Sequence, residues 1–141
     1  MHLNNNQPKN KKVMFKKIII ASICCCTTII ACQKETDNKA PVISLLLPTE
    51  GQEINATTDS VIIQATMDDA DMHNFRYTVT NKADGDTLIH INPRHDHVEH
   101  IDFYKGYKLV IDADIDALLV FTAEDHSGNV STKSVNFKLI K

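Results

Sequence analysis

Apolar and polar positions alternate with a period of two over much of this chain. Val61, Ile63, Ala65 and Met67 alternate with Ile62, Gln64, Thr66 and Asp68, the signature of a strand with one buried face. Phe75, Tyr77 and Val79 repeat the pattern against Arg76, Thr78 and Thr80, and Val135, Phe137 and Leu139 fall on one side of Val130–Ile140. Leu118–Ala123 is a nearly continuous apolar run, and shorter strands are predicted over 42–47, 88–91 and 107–111. Turn signals separate them: Pro48 and Gly51 after the first strand, and Asp84-Gly85 in a hairpin position. No stretch carries a helical stripe. Seven or eight short strands in a domain of about 100 residues predict a two-sheet Greek-key β-sandwich. One segment departs from the rhythm. From His90 to Tyr107 the chain is polar, charged and weakly periodic, which predicts a long irregular insert.

The N-terminal segment follows a different rule. Lys9, Lys11, Lys12, Lys16 and Lys17 precede an uncharged run from Ile18 to Ala31, and no acidic residue occurs before Glu35. A cationic stretch followed by a short apolar one fits a secretory leader. As a helix the run would span about 21 Å, short of the roughly 30 Å of a bilayer core. The run closes on Ile29-Ile30-Ala31-Cys32, which resembles the lipobox of bacterial lipoproteins. That resemblance implies cleavage before Cys32, lipidation of that residue (a diacylglyceryl thioether at its sulfur, and palmitate) and a lipid anchor in the membrane. Gln33 in the next position implies the outer membrane, with the domain facing the periplasm or the cell surface. Gln33-Lys34-Glu35 partly resembles the export signal of surface-exposed Bacteroidota lipoproteins, with Thr36 interrupting the acidic pair. Met14-Phe15-Lys16-Lys17 would begin a compact leader, so Met14 is an alternative start. Residues 1–31 are then the leader, 32–40 a polar lipidated tether and 41–141 the sandwich.

This division changes the charge. The whole chain carries 15 basic and 18 acidic residues, but five basic and no acidic ones precede Cys32. Ten against eighteen remain, a net charge of −8. Such a balance argues against nucleic acid, which needs a basic footprint, and favours attraction of cations. Cys24, Cys25 and Cys26 are contiguous within the apolar run. They have neither the spacing of a zinc site nor that of a loop-closing disulfide.

Two motifs strengthen the sandwich reading. Pro41-x-Ile43-x-Leu45-x-x-Pro48-x-x-Gly51 resembles the opening strand of bacterial immunoglobulin-like domains. Asp125-His126-Ser127-Gly128-Asn129 resembles their Asp-x-x-Gly-Asn turn before the last strand, where Asp can bond backbone amides and Gly-Asn can take positive φ. Neither resemblance names a ligand.

The chemistry lies in the predicted insert. His90, His95, His97 and His100 fall within eleven residues, alongside Asp96, Glu99 and Asp102. Imidazole sets of this kind suit zinc or copper, and also nickel. In an extended segment His95 and His97 would project to one face. His95-x-His97-x-x-His100-Ile101-Asp102 also resembles the histidine-rich stretch of a family of Bacteroidota lipoproteins with an immunoglobulin-like domain of unknown function. The plain alternative is a solvated polar loop whose charge responds to pH.

Other clusters carry less. Asp68, Asp69 and Asp71 form an oxygen-rich run that could attract calcium, but without the glycine and terminal glutamate of an EF-hand; Asp112, Asp114 and Asp116 form a second. Asp125-His126-Ser127 is a remote hydrolase reading, because neighbouring strand residues point to opposite faces. The expectation is a lipid-anchored binding or accessory module rather than an enzyme, with a transition metal at the histidines. Its competitor is a module that recognises an envelope protein or a glycan without metal.

Overall fold

The computed structural model describes residues 37–141. The lipobox, Cys32 and the leader lie outside the described residues. The compact unit runs from Asp37 to Lys141 and contains eight strands: β1 (Val42–Leu47), β2 (Glu53–Asn55), β3 (Val61–Asp68), β4 (Met72–Asn81), β5 (Thr87–His95), β6 (His100–Tyr107), β7 (Ile115–Asp125) and β8 (Val130–Ile140). One sheet has the order β1-β3-β6 and the other β2-β8-β7-β4-β5. This is an all-β, immunoglobulin-like Greek-key sandwich. The first strand is split: β1 pairs antiparallel with β3, and after Pro48–Gly51 the chain crosses to pair β2 parallel with β8. The chain returns to the other sheet between β2 and β3, and the later crossing from β5 to β6 makes the Greek key.

The alternation seen in the sequence becomes the interior. Val61, Ile63, Ala65 and Met67 of β3 face Tyr77, Phe75 and Val79 of β4 and Ala117, Leu119, Phe121 and Ala123 of β7 in one buried cluster. Aromatic rings form its centre. Phe121 stacks on Phe75 (centroids 5.7 Å apart) and on Tyr77 (5.4 Å), while Phe103 of β6 meets both in edge-on contacts at 5.3 Å. Such arrangements are worth about 0.5–1.5 kcal/mol per pair beyond the area they bury.

The predicted irregular insert is two regular strands, the end of β5 and all of β6, joined by residues 96–99. Both are edge strands, and among the described residues one flank of each has no hydrogen-bonded neighbour. Their outer faces and much of their inner faces stay wet, so apolar periodicity is not required of them. The strand predicted over 107–111 is displaced for a related reason. Leu109 and Ile111 pack against the core from the β6–β7 connection, while Val110 between them is 98% exposed.

Three connections gather at one end of the sandwich: β3–β4, β5–β6 and β7–β8. Backbone hydrogen bonds tie them together, from Asp69 N to Glu99 O (3.0 Å), from Asp96 N to His73 O (3.1 Å) and from His126 N to Asp71 O (3.0 Å). This pole holds most of the chain's histidines.

Candidate metal centre

The β7–β8 turn anchors the pole. Gly128 has φ of 85°, a left-handed conformation that costs glycine little. Asp125 is buried at the end of β7, and Asn129 donates to both its carboxylate oxygens, through N at 2.8 Å and Nδ2 at 2.7 Å. The same Nδ2 donates to the carbonyl of Asp37 at 2.9 Å, tying the entering chain to the turn. Burial raises the Asp125 carboxyl, but hydrogen bonds from Asn129, Ser127 and Gly128 outweigh it and hold the group below its ordinary value. Asp125 accepts the backbone amide as expected, but of the Gly-Asn pair only Gly128 takes positive φ, and Asn129 serves instead as a donor to Asp125.

On β4 a bulge aims the first imidazole. Met72 pairs with Asp125 and Asn74 with Glu124, so two steps on β4 match one on β7 and His73 is the extra residue. His73 sits against His126 of the turn, with centroids 4.5 Å apart and planes 28° from parallel. His97, from the β5–β6 connection, stacks on the other side of His126 at 5.0 Å. His95, at the end of β5, meets His73 at 4.8 Å. Four imidazoles from two strands and two connections therefore form a row: His95, His73, His126, His97. His73 is half-buried and the others are exposed.

Carboxylates surround the row. His126 Nδ1 lies 3.0 Å from the Asp71 carbonyl oxygen and 3.3 Å from its Oδ1. Asn74 Nδ2 bridges between His73 Nδ1 (3.5 Å) and Glu124 Oε2 (3.4 Å). Rings that ligate one tetrahedral ion through nitrogens at about 2.1 Å would have centroids about 5 Å apart, close to the spacings in the row. The orientation differs, because the rings lie face to face rather than with nitrogens aimed at one point. Among the described residues no three His, Cys, Asp or Glu side chains are posed to hold a metal ion as they stand.

The expected set of His90, His95, His97 and His100 is not brought together. His95 and His97 lie at the pole. His90 pairs with Thr78 on the outer face of the five-stranded sheet, its Nε2 3.2 Å from Asn92 Oδ1. His100 is on the outer face of the other sheet, with Nδ1 2.6 Å from Asp68 Oδ1 and Nε2 3.2 Å from Asp102 Oδ1. Those hydrogen bonds, first Asp68 and then Asp102, hold the His100 ring above its ordinary value despite a small opposing effect of burial. A period-two strand places residues 90 and 100 away from 95 and 97 once β5 and β6 belong to different sheets. His73 and His126 were not expected. The turn motif places His126 at the β7–β8 connection, and the loop-clustering of this fold places the β3–β4 turn beside it.

The calcium set is also dispersed. Asp68 faces His100, Asp69 Oδ1 accepts from Asp71 N at 2.8 Å, and Asp71 faces His126. Adjacent acidic residues in a turn here bond separate partners rather than one cation. Asp125 and His126 likewise form no relay to Ser127, because Asp125 bonds Asn129 and His126 faces Asp71.

No family model matches this chain, and no curated protein matches it. Among solved structures, the crystal structure of an engineered protein is similar over 71% of this chain, at 13% identity and a TM-score of 0.47. The chain spans 20% of the length of that protein.

Proposed function

We propose that this chain is a lipid-anchored binding module of the outer membrane that takes up a transition metal, zinc or copper, at the pole. The ligands are drawn from His73, His95, His97 and His126. One observation carries this reading: four imidazoles from three chain segments lie within 4.5–5.0 Å of a neighbouring ring. Exposed side chains can turn about χ1 and χ2 without disturbing the fold, and neutral imidazole nitrogens are the donors that these ions prefer. Asp71 beside His126 and Asn74 beside His73 are placed to orient the rings through their second nitrogens. Anchoring rests on the lipobox and Cys32, and the acidic surface would concentrate divalent cations near the membrane.

The test is metal content and titration of purified chain without a polyhistidine tag. Zinc or copper should bind with micromolar or better affinity. A His73→Ala/His126→Ala variant should lose at least a hundredfold, whereas His90→Ala and His100→Ala should lose nothing. Equal loss in all variants would contradict the reading. Binding of an envelope protein or glycan that survives chelation would favour the metal-free competitor.

A further inference from the structure

Two edge strands on one side of the sandwich carry a cation where the alternation asks for an apolar side chain. The inward positions of β6 are Ile101, Phe103, Lys105 and Tyr107, opposite Met67, Ala65, Ile63 and Val61 of β3. Those four β3 residues are all buried. Cross-strand partners share a face, so Lys105 holds a core-facing register opposite Ile63. On β5 the positions opposite Val79, Tyr77 and Phe75 are Ile89, Ile91 and Arg94. An irregularity at Asn92-Pro93 shifts this register, as expected for a proline on an edge strand. Arg94 therefore also stands in the inward row.

Both cations line one cleft of about 300 Å³, together with Tyr77, Ile91, Phe103 and Tyr107. The Tyr77 and Tyr107 hydroxyls bond each other at 2.5 Å. Burial, then the Tyr107 bond, raises the Tyr77 phenol far above its ordinary range, so it stays neutral. The remaining lining residue is Asn92, and no carboxylate is among them. That is unusual in a chain with an acidic excess. Arg94 reaches its nearest carboxylate, Asp96, only at 4.0 Å, and among the described residues no ion pair engages Lys105. Inward charges on edge strands also discourage pairing between molecules. Edge protection accounts for the charges but not for a cleft walled by aromatic rings.

We propose that this cleft binds a small aromatic carboxylate. Its anionic group lies between Arg94 and Lys105, and its ring packs on Phe103, Ile91 and Tyr107. The volume is near the lower end of ligand sites, roughly 300–1,000 Å³, which suits a single-ring molecule. This proposal stands apart from the metal reading, since neither cation nor ring belongs to the histidine row.

The test is titration of the isotope-labelled full-length chain with phenylacetate and 4-hydroxybenzoate, each compared with its neutral amide, and read by amide chemical shifts. At least one acid should give saturable shifts at Ile91, Arg94, Phe103 and Lys105, with the amide at least tenfold weaker. Arg94→Gln and Lys105→Gln should each weaken the acid about tenfold, as expected for loss of a charge-assisted hydrogen bond. No saturable shift at millimolar acid, equal binding of acid and amide, or unchanged affinity in both variants would overturn the proposal. Self-association of the double variant while the native chain binds neither acid would assign the cations to edge protection and overturn it too. The acid-against-amide comparison needs no variant, so a misfolded variant leaves the test intact.

Discussion

Strand β4 passes through two four-ring clusters of opposite character. In the interior, Phe75 and Tyr77 join Phe121 and Phe103, with centroids 5.3–6.2 Å apart in the direct contacts. At the pole, His73 joins His95, His97 and His126 at 4.5–5.0 Å. The spacing is similar but the surroundings are not. Three of the interior rings, Phe75, Tyr77 and Phe121, are almost wholly buried, whereas three of the four imidazoles are exposed. Removal of apolar surface from water drives folding, so the interior cluster holds the sandwich together. The imidazole row removes little surface from water, and His126 Nδ1 and His73 Nδ1 meet Asp71 and Asn74 rather than one another. Proximity of rings is thus a packing device in one place and a chemical opportunity in the other.

The sharpest way to break this comparison is to truncate a ring in each cluster. Phe121→Ala should cost about 3–5 kcal/mol, as for other buried aromatic truncations, and unfold much of the population in a denaturant titration. His97→Ala, at an exposed position, should change stability by no more than about 0.5 kcal/mol. If the two losses were alike, the row would be a structural element and the functional reading would lose its basis.

Asp125 lies at the pole, buried at the end of β7 opposite Met72 and bonded to Asn129. Asp125→Ala should leave the amides of the turn and Asn129 without their acceptor, at a cost of about 1–3 kcal/mol. Its pH dependence has a definite sign. The folded carboxyl titrates below its ordinary value, so its stabilising contribution is complete above about pH 4. It is lost as pH falls through the depressed folded value. Acid unfolding of Asp125→Asn should accordingly be less steep in that range, a difference that circular dichroism can follow.

The internal strands β3, β4, β7 and β8 were legible in the sequence because each has a strand on both flanks. β3, β4 and β8 alternate as they do because each inward position meets the other sheet. Edge strand β1 was legible at 42–47 and β5 as far as Ile91, but the rest of β5 and most of β6 were not. Among the described residues β5 and β6 each have one flank without a partner strand, their solvent-facing residues outnumber the buried ones, and Arg94 and Lys105 occupy inward positions. Polar composition there was read as irregularity. The histidine site suffered from the same error: with β5 and β6 taken as one insert, nearby residue numbers stood for nearby atoms. The partners His73 and His126 are single histidines in their own segments, brought in by a bulge and a turn. Only the fold's habit of gathering alternate connections at one end could have indicated them.

His100 supplies the smallest effect and a control for the imidazole row. Its ring is hydrogen-bonded to Asp68 and Asp102 and titrates above its ordinary value. A raised folded value means that its contribution to stability is complete below the ordinary histidine range and is lost as pH rises through the folded value. Asp68→Asn should lower that titration, followed by the ring proton resonances, and Asp102→Asn should lower it less. Neither change should alter ligand binding at the pole.

The central claim is most directly tested by titrating zinc and copper into untagged chain while following the ring resonances of all the histidines. Broadening or shifts confined to His73, His95, His97 and His126, saturating at one ion per chain and reversed by EDTA, is the predicted result. Saturable shifts at His90 and His100 instead, or no saturable change in any ring at micromolar metal, would contradict it.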